Sequence, residues 1–138
     1  MRIYVASGLD NASKPEFQKL LQDIRDLGHA LTYEWWTHGS MKDHSDQQIC
    51  LTAERELYGI ETADLVIVWL PGGGGTHVEM GYAFGLMIPV LLMNFDPATM
   101  RKVAFYYLFS KVTWWDDWVN TGSSDALAYN ISRAMEKA

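Results

Sequence analysis

The 138-residue chain has a single cysteine, Cys50, so it makes no internal disulfide. Its four histidines, His29, His38, His44 and His77, show no metal-binding spacing with that thiol or with one another, and no metal site is expected. Positive charge is scarce. Eleven Lys and Arg against seventeen Asp and Glu leave a net charge of −6, which disfavours a nucleic-acid polymer as partner. No apolar run has the length of a membrane span, and the first, Ile3 to Ala6, is too short for the core of a signal sequence. A cytoplasmic protein with no membrane partner is the expectation. Internal repeats, low-complexity tracts and linkers are missing too, so residues 1–138 read as one domain. What is present is an ordinary globular balance, 49% apolar and 20% charged. The length suffices to bury a core without crosslinks.

Apolar runs alternate with helical periodicity. Residues 3–6 read as a short buried strand. Phe17, Leu20, Leu21, Ile24 and Leu27 recur at helical spacing and predict a helix over 15–27, with Ser13 as its cap, Glu16 three residues on, and Gly28 as its stop. Residues 29–35 read as a less apolar strand nearer an edge, and 46–62 as a second helix. Residues 63–70 form the most hydrophobic run, whose lack of alternation suits a central parallel strand. A helix is expected over 76–87, a strand over 88–93, a helical stretch over 97–109 and a strand over 111–115. A closing helix is expected over 125–137, capped near Ser123 or Ser124. This alternation predicts an α/β fold: a flavodoxin-like or Rossmann-like doubly wound sheet of five parallel strands, in the order 2-1-3-4-5. Ligands of such sheets bind outside the carboxyl ends of the strands where the order reverses, here between strands 1 and 3. That selects Ser7, Gly8 and Asp10 in the first loop, and Gly73, Gly75 and the adjoining Thr76 in the second, as substrate-binding candidates.

Gly72 to Gly75 allow close approach of a ligand and positive φ, and they lead into a helix N-terminus that favours anions. Neither a Walker A pattern nor G-x-G-x-x-G is present, which disfavours an NTPase or an ordinary dinucleotide enzyme. The plainer reading is a flexible turn. Glu79 also has two readings. Thr76-x-x-Glu79 has the spacing of a capping box, in which the carboxylate only bonds backbone. Alternatively, the helix N-terminus keeps Glu79 ionised at the switch point, as a nucleophile or charge stabiliser requires. Glu56 falls in or beside the apolar stripe of Ile49, Ala53, Leu57 and Ile60, where the neutral form of an acid is favoured. It reads either as a general acid or as a boundary residue paired with Arg55 or Lys42. Tyr4 lies in a strand suited to burial, so its hydroxyl needs a partner, and an acid near the end of the sheet is one candidate. An ordinary core tyrosine is the alternative. Trp35–Trp36, and Trp114–Trp115 with Trp118, could stack a base or serve a core or interface. His77 should point away from Glu79, and Asp64 reads as structural.

Three segments carry a resemblance: Ile3 to Gly8, Glu56 to Asp64, and Gly75-Thr76-His77-Val78-Glu79-Met80-Gly81-Tyr82-Ala83. Together they resemble the nucleoside 2-deoxyribosyltransferase family, including its nucleoside-monophosphate N-glycosidase branches, almost end to end. The resemblance implies that Glu79 is the nucleophile, attacking the anomeric carbon to form a covalent glycosyl-enzyme. Glu56 takes the place of the acid that handles the proton of the base, and Tyr4 orients or tunes the nucleophile. The family usually has Asp where Glu56 stands. It often has an aspartate six residues before the nucleophile, where this chain has Gly73. The implied substrates are a nucleoside or nucleotide and a free base, with transfer of the sugar to that base or to water. The rich glycine loop suits a 5′-phosphate. No cofactor is implied, because carboxylates suffice for an oxocarbenium-like transition state. The family also implies a homo-oligomer with shared active sites, and the aromatic residues from Phe105 to Trp118 are compatible with an interface.

Residues 71–79 also resemble the P-G-G-x-G-T-x-x-E loop of the lonely-guy phosphoribohydrolases, which break the same kind of bond. Both resemblances place Glu79 in the chemistry. A non-catalytic nucleotide-binding module on the same fold is the remaining function class.

Overall fold

The two most hydrophobic runs of the chain become its central strands, β3 (Leu65–Trp69) and β4 (Val90–Phe95). In the computed structural model, which describes residues 1–113 and 124–136, every side chain of both strands is buried. Burial without alternation means that both faces of the sheet are covered, as in a doubly wound fold. β1 (Arg2–Ser7) lies beside β3 in the register Tyr4 to Val66 and Ser7 to Trp69. β2 (Ala30–Leu31) and β5 (Ser110–Thr113) form the edges. All pairings are parallel and the order is β2-β1-β3-β4-β5, as expected from the alternation of strands and helices.

Among the described residues the helices are α1 (Pro15–Asp26), α2 (Asp46–Glu61), α3 (Gly74–Gly85), α4 (Pro97–Met100) and α5 (Ser124–Glu136). α1 buries Phe17, Leu20, Leu21 and Ile24 completely, each side chain contributing roughly 1.5–3 kcal/mol. Gly28 ends it at φ 87°, a conformation that a side chain would strain. Among the described residues no helix is long and apolar enough to cross a membrane.

Several local expectations are corrected. β2 is two residues long rather than seven, because Trp35 turns inward and its indole N–H donates to the Val5 carbonyl at 2.6 Å. The indole thereby occupies an edge acceptor of β1. Trp35 and Trp36 pack around Phe17, so this pair belongs to the core rather than to a base-stacking surface. Lys14, not Ser13, caps α1, since Pro15 is already its first residue. The stretch 97–109 splits into α4 and a 3-10 turn over Ala104–Leu108. Aromatic side chains lose rotamer freedom in an α-helix, and the three-residue spacing of buried Tyr106 and Phe109 matches the tighter turn. Ser124 is the first residue of α5. Ser123, Trp114, Trp115, Trp118 and Lys137 lie outside the described residues.

Candidate active site between α2 and α3

The turns after β1 and β3 meet at the switch point and are bonded together. The Ser7 hydroxyl donates to the Trp69 carbonyl at 2.8 Å. The buried Asn11 amide donates to Ser7 Oγ at 2.9 Å and to the Pro71 carbonyl at 2.7 Å. Gly8 fits here because a Cβ would come within 3.3 Å of the Pro71 oxygen. Ser7 and Gly8 are thus committed to joining the two loops, while Asp10 is exposed beside them.

The glycine run differs from expectation. Gly74 and Gly75 are the first residues of α3, Gly73 is its N-cap, and none of Gly72 to Gly75 has positive φ. Gly72 is required by contact: a Cβ there would lie 2.4 Å from Thr76 Cγ2. Thr76 is accordingly buried against the turn. Gly73, Gly74 and Gly75 face open space, leaving the start of α3 accessible to a ligand.

This placement removes the capping-box reading of Glu79, since Thr76 is the third residue of α3 and Gly73 caps it without a side-chain bond. It also corrects the expectation that the helix N-terminus keeps Glu79 ionised. Glu79 sits in the second turn, beyond the reach of the terminal dipole. Burial instead pushes its carboxyl up to about 8; the Tyr4 hydroxyl acts in the opposite direction, and the Glu56 charge adds to the rise.

Tyr4, Glu79 and Glu56 converge from β1, α3 and α2. Tyr4 is completely buried, and its hydroxyl has no formed hydrogen bond. Burial raises the phenol, followed by the charges of Glu79 and Glu56. The hydroxyl is near enough to favour the Glu79 carboxylate without the geometry of a completed bond. Glu56 is half-buried and its carboxyl is also raised by burial, against the opposing charge of His38. The stripe expected on α2 is buried only at its C-terminal end: Ile60 is fully buried, whereas Ile49 and Ala53 are exposed. α2 and α3 are tied by a hydrogen bond from the Tyr82 hydroxyl to the Glu61 carboxylate. Two partly buried carboxyls and a phenol, close enough to act on one another, can hold a proton, release it, and oppose a developing positive charge.

Residues 3–131 match the family described as Nucleoside 2-deoxyribosyltransferase. The chain belongs to that family of enzymes. Solved structures with the same fold include a 2-deoxyribosyltransferase from Bacillus psychrosaccharolyticus, 22% identical, at a TM-score of 0.68 over 91% of this chain and 96% of that one. Clostridium botulinum CMP N-glycosidase BcmB is 14% identical, at a TM-score of 0.55 over 96% and 99%. A conserved protein from Enterococcus faecalis V583 is 17% identical, at a TM-score of 0.59 over 96% and 98%. No curated protein matches the chain in sequence.

Two residues of this deoxyribosyltransferase-family site escape sequence reasoning. His38 acts on Glu56; its Nδ1 donates to the Gly39 carbonyl at 3.0 Å, leaving Nε2 buried with no partner. It lies in an irregular polar loop, so no periodicity marks it. Asn11, the strut between the turns, is detectable only once those turns are known to meet. His77 behaves as expected: it points to the Gly73 carbonyl and the Tyr106 hydroxyl, at 2.7 and 2.6 Å. Asp64 accepts from the Arg2 N–H at 2.7 Å at the opposite end of the sheet. Among the described residues, no three His, Cys, Asp or Glu side chains gather as a metal site needs.

Proposed function

We propose that the protein cleaves the N-glycosidic bond of a 2′-deoxynucleoside and transfers the sugar to another base through a glycosyl ester on Glu79. The observation that carries this reading is the convergence of Tyr4, Glu56 and Glu79 from β1, α2 and α3, with both carboxyls raised by burial and the buried Tyr4 hydroxyl close enough to favour the Glu79 carboxylate. The productive form has Glu79 ionised and Glu56 protonated, so the proton that burial favours on Glu79 passes to Glu56 as the substrate binds. A Glu79 oxygen bonds to the anomeric carbon as the bond from that carbon to the base nitrogen breaks. The electron pair goes to the base, which takes the Glu56 proton. The acceptor base then attacks the same carbon, the ester opens, and the acceptor's proton returns to Glu56. The open, glycine-lined start of α3 supports a second reading, hydrolysis of a nucleoside 5′-monophosphate with water as acceptor and the phosphate held by backbone N–H groups.

Incubation with 2′-deoxynucleosides and their 5′-monophosphates, with and without a second free base, tests both by chromatography. A new nucleoside supports transfer. Free sugar or sugar phosphate alone supports hydrolysis. No bond cleavage in any mixture contradicts both and leaves a binding module. The exposed Leu51 and Tyr58, seven residues apart on one side of α2, support an oligomer formed there. Sedimentation at micromolar concentration should show more than one subunit, and a monomer there contradicts the shared-site arrangement.

A further inference from the structure

Gly59 is a helical glycine in the last turn of α2, one turn after Glu56 on the same helix. Its φ is not positive, so the backbone does not require glycine. Glycine at such a position costs about 1 kcal/mol relative to alanine. The explanation lies across the helix. A Cβ on Gly59 would come within 3.0 Å of Tyr33 Cβ, and within 3.1 and 3.2 Å of Tyr4 Cδ2 and Cε2. Neither neighbour yields easily. The Tyr33 atom is anchored directly to backbone. The Tyr4 ring is fully enclosed, on a strand paired on both sides. A methyl group must therefore move the ring or lift the end of α2.

We propose that Gly59 is a positioning residue for the reaction: its missing side chain lets α2 rest on the Tyr4 ring and so fixes where the Tyr4 hydroxyl sits beside Glu79. This rests on the reading of Glu79 as the reacting carboxylate. The groups that act on this pair are Glu56 from α2 and Tyr33 from the segment after β2, with His38 acting on Glu56. Gly59 carries no charge, so its influence is transmitted through the ring it supports.

The test is a double-mutant cycle of Gly59→Ala and Tyr4→Phe, read by base release from a 2′-deoxynucleoside across pH and by the titration midpoint of the Glu79 carboxyl in ¹³C NMR. Gly59→Ala should lower kcat by roughly 10–100-fold, the scale of a misplacement near 1 Å, with little change in KM. It should move the Glu79 midpoint upward, as Tyr4→Phe does, because the hydroxyl favours the carboxylate. In the Tyr4→Phe background the same substitution should cost less than about threefold, since the group it displaces is gone. Gly85→Ala, at the far end of α3 where a Cβ meets nothing, should leave rate and midpoint unchanged. A Gly59→Ala protein with the wild-type rate and midpoint overturns the proposal, as does an undiminished loss in the Tyr4→Phe background. If Gly59→Ala does not fold, the cycle is run in a Tyr33→Gly background, which removes the nearer contact and leaves the one with the Tyr4 ring; the same losses are expected there, and their absence also overturns the proposal. Should wild type release no base, the enzymatic reading fails separately, and the midpoint shifts still decide the role of Gly59.

Discussion

The switch-point loops and the acidic crevice beside them handle polar groups in opposite ways. In the loops, Ser7, Asn11 and the Trp69 and Pro71 carbonyls form a closed set of hydrogen bonds. In the crevice, Tyr4 Oη and His38 Nε2 are buried without partners, and two carboxyls sit where water is depleted. Unpaired buried polar atoms are costly, so they persist where something other than stability retains them. The loops are built as a frame. The crevice is held by that frame in a state awaiting a partner, which a nucleoside's sugar and base would provide.

The comparison breaks most visibly at Glu79. Glu79→Gln should lower base release at least about 1,000-fold while retaining the fold, since a nucleophile has no substitute; activity near wild type refutes its role. Glu56→Gln should cost about 100- to 10,000-fold. It should also lower the titration midpoint of the Glu79 carboxyl, because the Glu56 charge helps to hold Glu79 up. An unmoved midpoint contradicts the coupling.

Stability measurements sharpen the contrast. Asn11→Ala should lose roughly 1–3 kcal/mol by orphaning the Pro71 carbonyl and removing the donor to Ser7 Oγ. Tyr4→Phe should gain up to about 1 kcal/mol by removing an unsatisfied hydroxyl, even as activity falls. Urea unfolding of both variants checks the opposite signs, and equal signs would erase the distinction between frame and crevice. The pH dependence follows from Glu79. Its folded value of about 8 lies above its ordinary 4.5, so the neutral form stabilises the fold. That contribution is complete below the ordinary value and is lost as pH rises through the folded one. Glu79→Gln should therefore melt several degrees above wild type at pH 9 and close to it at pH 4.5.

Strand order was legible because β3 and β4 are continuous apolar runs and helical periodicity separates them. The length of β2 was not, because an indole N–H from Trp35 replaces strand pairing, a tertiary event that no local pattern encodes. Tyr4, Glu56 and Glu79 were legible as chemically odd residues, and their meeting followed once the topology was known. The protonation of Glu79 was misread because the helix was expected to start at Thr76. Starting at Gly74 moves the acid two residues further in, into the second turn, where burial outweighs the dipole. His38 and Gly59 stayed hidden for complementary reasons: one is a polar residue in a polar loop, and the other matters through an atom it lacks.

The most direct measurement of the central claim is peptide mass spectrometry after incubation with a 2′-fluorinated 2′-deoxynucleoside, whose fluorine slows breakdown of a glycosyl ester. The expected result is a burst of one base per active site and a fluorodeoxyribosyl adduct on the peptide bearing Glu79, absent in Glu79→Gln. Base release with no adduct, or with the adduct on another residue, would contradict the account.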